Sequence, residues 1–296
     1  MSGHTSAVSG SDAGDDGRRS EIDRQLDLAA TTPDFDDHIA SWTQASESYR
    51  AHRPDAQLGV RYGATDSCTM DLFRSEHSAS ELQPVVVFFH GGYWRRFSGR
   101  DFSFVARPLN AVGAMVAVVD YPLVPRVSFA GLMESCVEAV SWVVRSIERY
   151  GGDPGHVLLM GHSAGAHICA VLAKHDWEDS AVPGSLRMML GISGLYDLQP
   201  VQASFLNETL QLTSEDVEQF SPSWGTVSPI PTVLAVGGLE TDIFREQADH
   251  FASYRTYAGC PTDVVVLEGL NHMQALTELP HRGTELVARL GLPCPR

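Results

Sequence analysis

The stretch His156-Val157-Leu158-Leu159-Met160-Gly161-His162-Ser163-Ala164-Gly165-Ala166-His167 decides the fold. His156–Met160 is an apolar run of strand length, and Ala166–Lys174 reads as a helix. Between them, Gly161, Ala164 and Gly165 flank Ser163 with almost no side-chain bulk, so the chain can turn sharply from strand to helix. A G-x-S-x-G in a strand–turn–helix setting exposes the serine hydroxyl at a helix N-terminus. The backbone N–H of Ala164 then faces the space in front of Ser163. Ser163 is the candidate nucleophile and Ala164 a candidate oxyanion donor.

Working outward, the same alternation repeats along the chain. Pro84–Phe89, Ala114–Val119, Met188–Ile192, Pro231–Val236 and Asp263–Leu267 are further apolar runs with the length of buried strands. Leu58–Tyr62 and Thr69–Phe73 are weaker strands ahead of them. Phe129–Tyr150 carries Leu132, Cys136, Val140, Val143 and Ile147 at helical spacing. Phe35, Ile39, Trp42 and Tyr49 place an amphipathic helix between Pro33 and Arg53. Strands alternating with helices imply an α/β fold, with a mostly parallel sheet covered on both faces. Ligands of such sheets bind beyond the carboxyl ends of the strands. Residues 194–228 break the pattern, leaving Phe205, Leu206, Leu210 and Leu212 exposed or half-buried, as in a cap or lid. Residues 1–20 are rich in Gly, Ser and Asp and read as a disordered acidic tail. Residues 21–296 then form one domain.

Each remaining chemical motif directly follows a strand. His90-Gly91-Gly92-Tyr93-Trp94 follows Pro84–Phe89, and its glycines allow close backbone approach, making Gly91 and Gly92 candidate oxyanion donors. His90 reads as a structural residue that holds this loop. Tyr93, Trp94 and Phe97 are candidate substrate-binding aromatics, with core packing as the alternative for Trp94. After Pro231–Val236 come Glu240 and Asp242, either of which could orient a histidine. Asp242 is preferred, although its place at the start of a helix also suits a cap. His272, directly after the last strand, is the candidate base and gives the order Ser163, Asp242, His272. His156, His162, His167, His175, His250 and His281 read as solvated or packed residues.

Composition narrows the partners. The net charge of −16 disfavours nucleic acid and anionic membranes, which need a basic surface. No apolar run is long enough to span a bilayer, and the Arg18-Arg19 pair lacks the apolar stretch of an export signal. Cys68, Cys136, Cys169, Cys260 and Cys294 are scattered and odd in number, which suits reduced thiols and a cytoplasmic location. No spaced set of metal ligands or dinucleotide fingerprint is present, so neither metal nor cofactor is expected. A homodimer is compatible with this reading.

Several motifs together resemble one family. The H-G-G-Y-W loop, D-F-S-F after it, G-H-S-A-G-A-H, S-G-L-Y-D-L at 193–198, F-R-E-Q at 244–247 and N-H-M at 271–273 are similar to those of kynurenine formamidases (arylformamidases). These belong to the H-G-G esterases, which resemble hormone-sensitive lipase. The likeness runs from about Asp34 to near the C-terminus. It implies the α/β-hydrolase fold and hydrolysis of an aryl formamide, N-formyl-L-kynurenine, to kynurenine and formate without a metal. The family's catalytic positions fall on Ser163, Asp242 and His272, and its oxyanion donors on Gly91, Gly92 and Ala164. One segment departs: Asp120-Tyr121-Pro122-Leu123-Val124-Pro125-Arg126 stands where the wider group shows D-Y-R-L-A-P-E, which puts substrate preference in question. The rivals are a carboxylesterase or amidase acting on another aryl ester, carbamate or amide, and a non-catalytic binding protein on the same scaffold.

Overall fold

In the computed structural model, which describes residues 12–77, 82–260 and 262–277 together with Arg289 and Leu292, eight strands form one sheet. They are β1 (Gln57–Arg61), β2 (Thr69–Phe73), β3 (Gln83–Phe89), β4 (Met115–Val119), β5 (Gly152–His162), β6 (Leu186–Ile192), β7 (Thr232–Gly237) and β8 (Thr262–Leu267). Their order is β1-β2-β4-β3-β5-β6-β7-β8. β2 runs antiparallel to β1 and to β4, and every other neighbouring pair is parallel. All eight expected strands are present, with ends shifted by a few residues.

The strand sequences explain why helices cover both faces. Successive side chains of a strand point to opposite sides of the sheet. In β3, Val85, Val87 and Phe89 enter one core cluster while Val86 and Phe88 enter the other. β4 divides in the same way, Met115, Ala117 and Val119 against Val116 and Val118. Apolar side chains on both faces leave none to meet water, so each face needs a helical layer. The Phe129–Ser146 and Ala164–Lys174 helices supply the first cluster, and Phe35–Ala51 reaches the second through Trp42. Burying a large apolar side chain contributes roughly 1.5–3 kcal/mol. The Trp42 indole also donates to Thr277 Oγ1 at 2.7 Å, fastening this helix to the segment after β8.

Two expectations are corrected here. Of the tail read as disordered, residues 12–20 belong to a helix, Asp12–Leu26, while residues 1–11 lie outside the described residues. Its carboxyl end is anchored, which lets the polar turns before it continue the helix. Leu26 is buried, Asp23 Oδ1 accepts the Phe205 N–H at 2.7 Å, and Gln25 Oε1 accepts the Ile243 N–H at 2.8 Å. The 194–228 segment holds three short helices, Gln199–Gln202, Asn207–Leu210 and Ser214–Phe220. Leu206, Leu210 and Leu212 are buried rather than exposed, because these turns fold their leucines into the first core cluster. Phe205 stays half-buried. Cys68, Cys136, Cys169 and Cys260 are free thiols, and Cys294 lies outside the described residues.

Candidate active site

β5 delivers Ser163 to the centre of the carboxyl edge of the sheet. The serine has φ 56° and ψ −121°, a region an L-residue enters only under constraint. Its neighbours make that turn sterically possible. A Cβ on Gly161 would lie 2.2 Å from Gly165 C, and one on Gly165 would lie 1.9 Å from Phe89 O. Both are impossible contacts, so strand, turn and helix close only around glycine. Ala164 opens the 11-residue Ala164–Lys174 helix, and its N–H lies in the first turn, where the helical ladder does not use it.

β8 delivers His272 through a capped turn. Asn271 Oδ1 accepts from the Met273 N–H at 3.1 Å and the Gln274 N–H at 2.9 Å, starting the His272–Thr277 helix. His272 is buried, and its Nδ1 lies 2.6 Å from Glu240 Oε2. The other oxygen, Glu240 Oε1, accepts from Ser193 Oγ and from the Gly237 N–H, each at 2.6 Å. The carboxylate therefore has its charge met on three sides without any contact with water.

This geometry corrects the preference for Asp242. Its carboxylate is exposed and pairs with Arg245 one turn along the Asp242–Tyr257 helix. The reason is the turn after β7. The Glu240 N–H donates to Gly237 O at 3.1 Å, curling the chain back over the strand end. Two residues later Asp242 is already in the helix and points outward.

The loop after β3 brings Gly91 and Gly92 beside Ser163. A Cβ on Gly91 would sit 3.1 Å from Ser163 Cβ, so a bulkier residue would crowd that serine. Gly92 has φ 114°, and its Cβ would lie 2.4 Å from Arg96 O. His90 is structural. It stacks between Tyr121 and Phe102 at 4.3 and 5.3 Å, and its Nδ1 lies 2.7 Å from Gly91 O. The Tyr121 hydroxyl donates to His90 O at 2.7 Å. The departing segment 120–126 thus braces the loop from behind; neither Pro122 nor Arg126 lines the cavity in front of Ser163.

That cavity has a volume of about 110 Å³ and is bordered by Ser163, His272, Gly91 and Gly92. Of the three aromatics expected to bind substrate, Tyr93 and Phe97 line it and Trp94 does not. Tyr93 and Trp94 both take left-handed backbone, with φ 50° and 56°. The resulting turn drives Trp94 into the core against Phe129 and His167, at 5.4 and 5.0 Å. Tyr93 is held by a 2.8 Å bond from its hydroxyl to Leu26 O. Sequence reasoning missed Leu26, Leu28, Phe35, Trp42 and Phe102, which complete the apolar wall. Trp42 and Phe35 were legible as a helix's apolar face, but not as facing a ligand.

Two buried histidines carry a further role. His162 Nε2 lies 3.0 Å from the carbonyl oxygen of His272 and donates to it, tying the serine turn to the histidine turn. Burial first, and then His272, hold the His162 pKa well below the usual histidine range. His167 donates from Nε2 to Phe220 O at 2.8 Å, and burial lowers its pKa to about 3. Between the unfolded value near 6.5 and that folded value, only the unfolded chain takes up this proton. Stability is complete above pH 6.5 and falls as the pH drops through this window. Denaturant unfolding at pH 7.5 and 5 should show His167→Gln losing about 2 kcal/mol less than wild type between the two. Equal losses would mean that His167 is not the group responsible.

A profile of the α/β-hydrolase fold family matches residues 86–276, from β3 to the helix that His272 opens. The chain belongs to that family. This hydrolase is 29% identical to the kynurenine formamidase of Danio rerio over 249 residues, covering 82% of this chain and 83% of the relative. An isoprenylcysteine α-carbonyl methylesterase of Arabidopsis thaliana is 27% identical, covering 76% of the hydrolase and 58% of the longer plant protein. Among solved structures, one from Silicibacter sp. TM1040, described as a candidate thioesterase, superposes with a TM-score of 0.82 at 27% identity, covering 92% of this chain and 99% of that one. The hydrolase therefore has the enzyme fold that its motifs suggest. No helix among its described residues is long and apolar enough to cross a membrane.

Proposed function

We propose that the chain is a serine hydrolase of aryl formamides, with N-formyl-L-kynurenine as the substrate type, working through an acyl-enzyme. The observation that carries this reading is the shared cavity: Ser163, the Glu240-bound His272 and the two loop glycines all border one apolar space. In this mechanism Ser163 Oγ attacks the formyl carbon as His272 Nε2 accepts its proton. Glu240 holds His272 in the Nδ1–H tautomer and stabilises the imidazolium. The N–H groups of Gly91, Gly92 and Ala164 receive the oxyanion. His272 then protonates the departing aryl amine, and water attacks the formyl-enzyme by the same route, releasing formate. Likeness to kynurenine formamidases supports the substrate type, as does the aromatic wall of Phe35, Trp42, Phe97 and Phe102.

A formyl group offers almost no acyl surface, so binding must come from the aryl side. The value of kcat/KM for N-formylkynurenine should exceed that for its N-acetyl analogue by about 10- to 200-fold, the range for one methyl group in a closed pocket. Parallel assays with both and with p-nitrophenyl butyrate check this. A flat acyl preference, or a much faster butyrate ester, would favour the carboxylesterase reading, which the methylesterase relative supports.

A further inference from the structure

The cavity wall carries two guanidinium groups that the mechanism does not use. Arg95 and Arg96 follow the Gly91-Gly92 loop and line the same space as Ser163. Their position is set by the glycine turn, since the N–H groups of both donate to Gly92 O, at 3.1 and 3.0 Å. Among the described residues, neither makes an ion pair with a carboxylate, although the chain has a net charge of −16. Arg95 Nε is buried and has no hydrogen-bond partner. Each guanidinium lies beside an aromatic ring, and Arg95 is also tethered by a hydrogen bond. Arg95 donates to Thr209 Oγ1 at 3.0 Å and lies 5.9 Å from the Phe205 ring centroid, while Arg96 lies 5.1 Å from that of Phe97.

We propose that Arg95 and Arg96 form an anion-reading subsite, which takes a carboxylate borne by the leaving portion of the substrate. Two neighbouring forked donors beside aromatic rings match a planar carboxylate, and a bound anion would supply the counter-charge they lack. Burial, and then repulsion from Arg96, lower the Arg95 pKa, so an anion would relieve an existing cost. Asp27, also on the cavity wall, offers the opposite charge to an ammonium group on the same substrate. The subsite would make the enzyme select zwitterionic or anionic aryl substrates over neutral ones. This inference rests on the reading of Ser163 as the nucleophile, but not on the formyl preference.

The test uses two aryl acetates that differ only in charge, para-acetoxyphenylpropanoate and its neutral primary amide. For the wild-type enzyme at low salt, kcat/KM for the carboxylate should exceed that for the amide by about 10-fold or more, as expected for a hydrogen bond to a charged group. The ratio should shrink as salt rises. In Arg95→Gln/Arg96→Gln it should fall to about one, mainly through KM. A wild-type ratio near one, or a folded double variant that keeps the wild-type ratio, overturns the subsite. The wild-type ratio and its salt dependence decide the matter even if the variant fails to fold. N-formylkynurenine is assayed alongside. A preserved charge ratio without its turnover would sink the formamide reading alone, and turnover with a ratio near one would sink the subsite alone.

Discussion

Replacing Glu240 with Gln is expected to lower kcat by about 10⁴-fold, the loss seen when a triad acid becomes an amide. The cause is the tautomer. Glu240 Oε2 accepts from His272 Nδ1 at 2.6 Å, which leaves Nε2 unprotonated to receive the serine proton. An amide at that position can present its NH₂ instead, forcing the proton onto Nε2 and removing the base. The same change disturbs the bonds from Ser193 Oγ and Gly237 N–H, so a thermal melt must accompany the kinetics. Asp242→Asn is the control. Its exposed side chain pairs with Arg245, and the variant should stay within a few-fold of wild type. If Asp242→Asn proves the damaged enzyme and Glu240→Gln the active one, the assignment of the acid is reversed.

Ser163→Ala should reduce kcat by about 10⁶-fold, because the residual oxyanion and binding contributions cannot replace the lost covalent step. Its melting temperature should stay close to that of wild type, since the change removes one oxygen and leaves the glycines that close the turn untouched. A fluorophosphonate probe followed by peptide mapping should place the label on Ser163. Label on another residue, or substantial turnover by the alanine variant, would remove Ser163 from its role.

The central sheet was legible because β3, β4 and β5 are apolar on both faces, a pattern that only a twice-covered strand explains. Ser163 was legible because it follows such a strand directly and His272 because it comes just after the last parallel strand, so topology sends both to one edge. Glu240 and Asp242 follow the same strand two residues apart, and position along the chain does not separate them. What separates them is the tight return of Glu240 onto Gly237, a backbone event with no sequence pattern beyond the glycines themselves. Trp94 failed for a related reason: two consecutive left-handed residues reversed the side its ring faces. The helix over residues 12–20 was hidden by composition, because its anchors, Asp23, Gln25 and Leu26, lie beyond the polar stretch.

The part of the chain that defines the family, residues 86–276, holds Ser163, His272 and the Glu240 carboxylate. Much of the wall facing the ligand lies upstream of it, in Leu26, Asp27, Leu28, Phe35 and Trp42. The pocket is thus written partly outside the stretch by which the family is recognised. A lineage could exchange its leading helices and reshape that side of the pocket while Ser163, Glu240 and His272 are inherited unaltered.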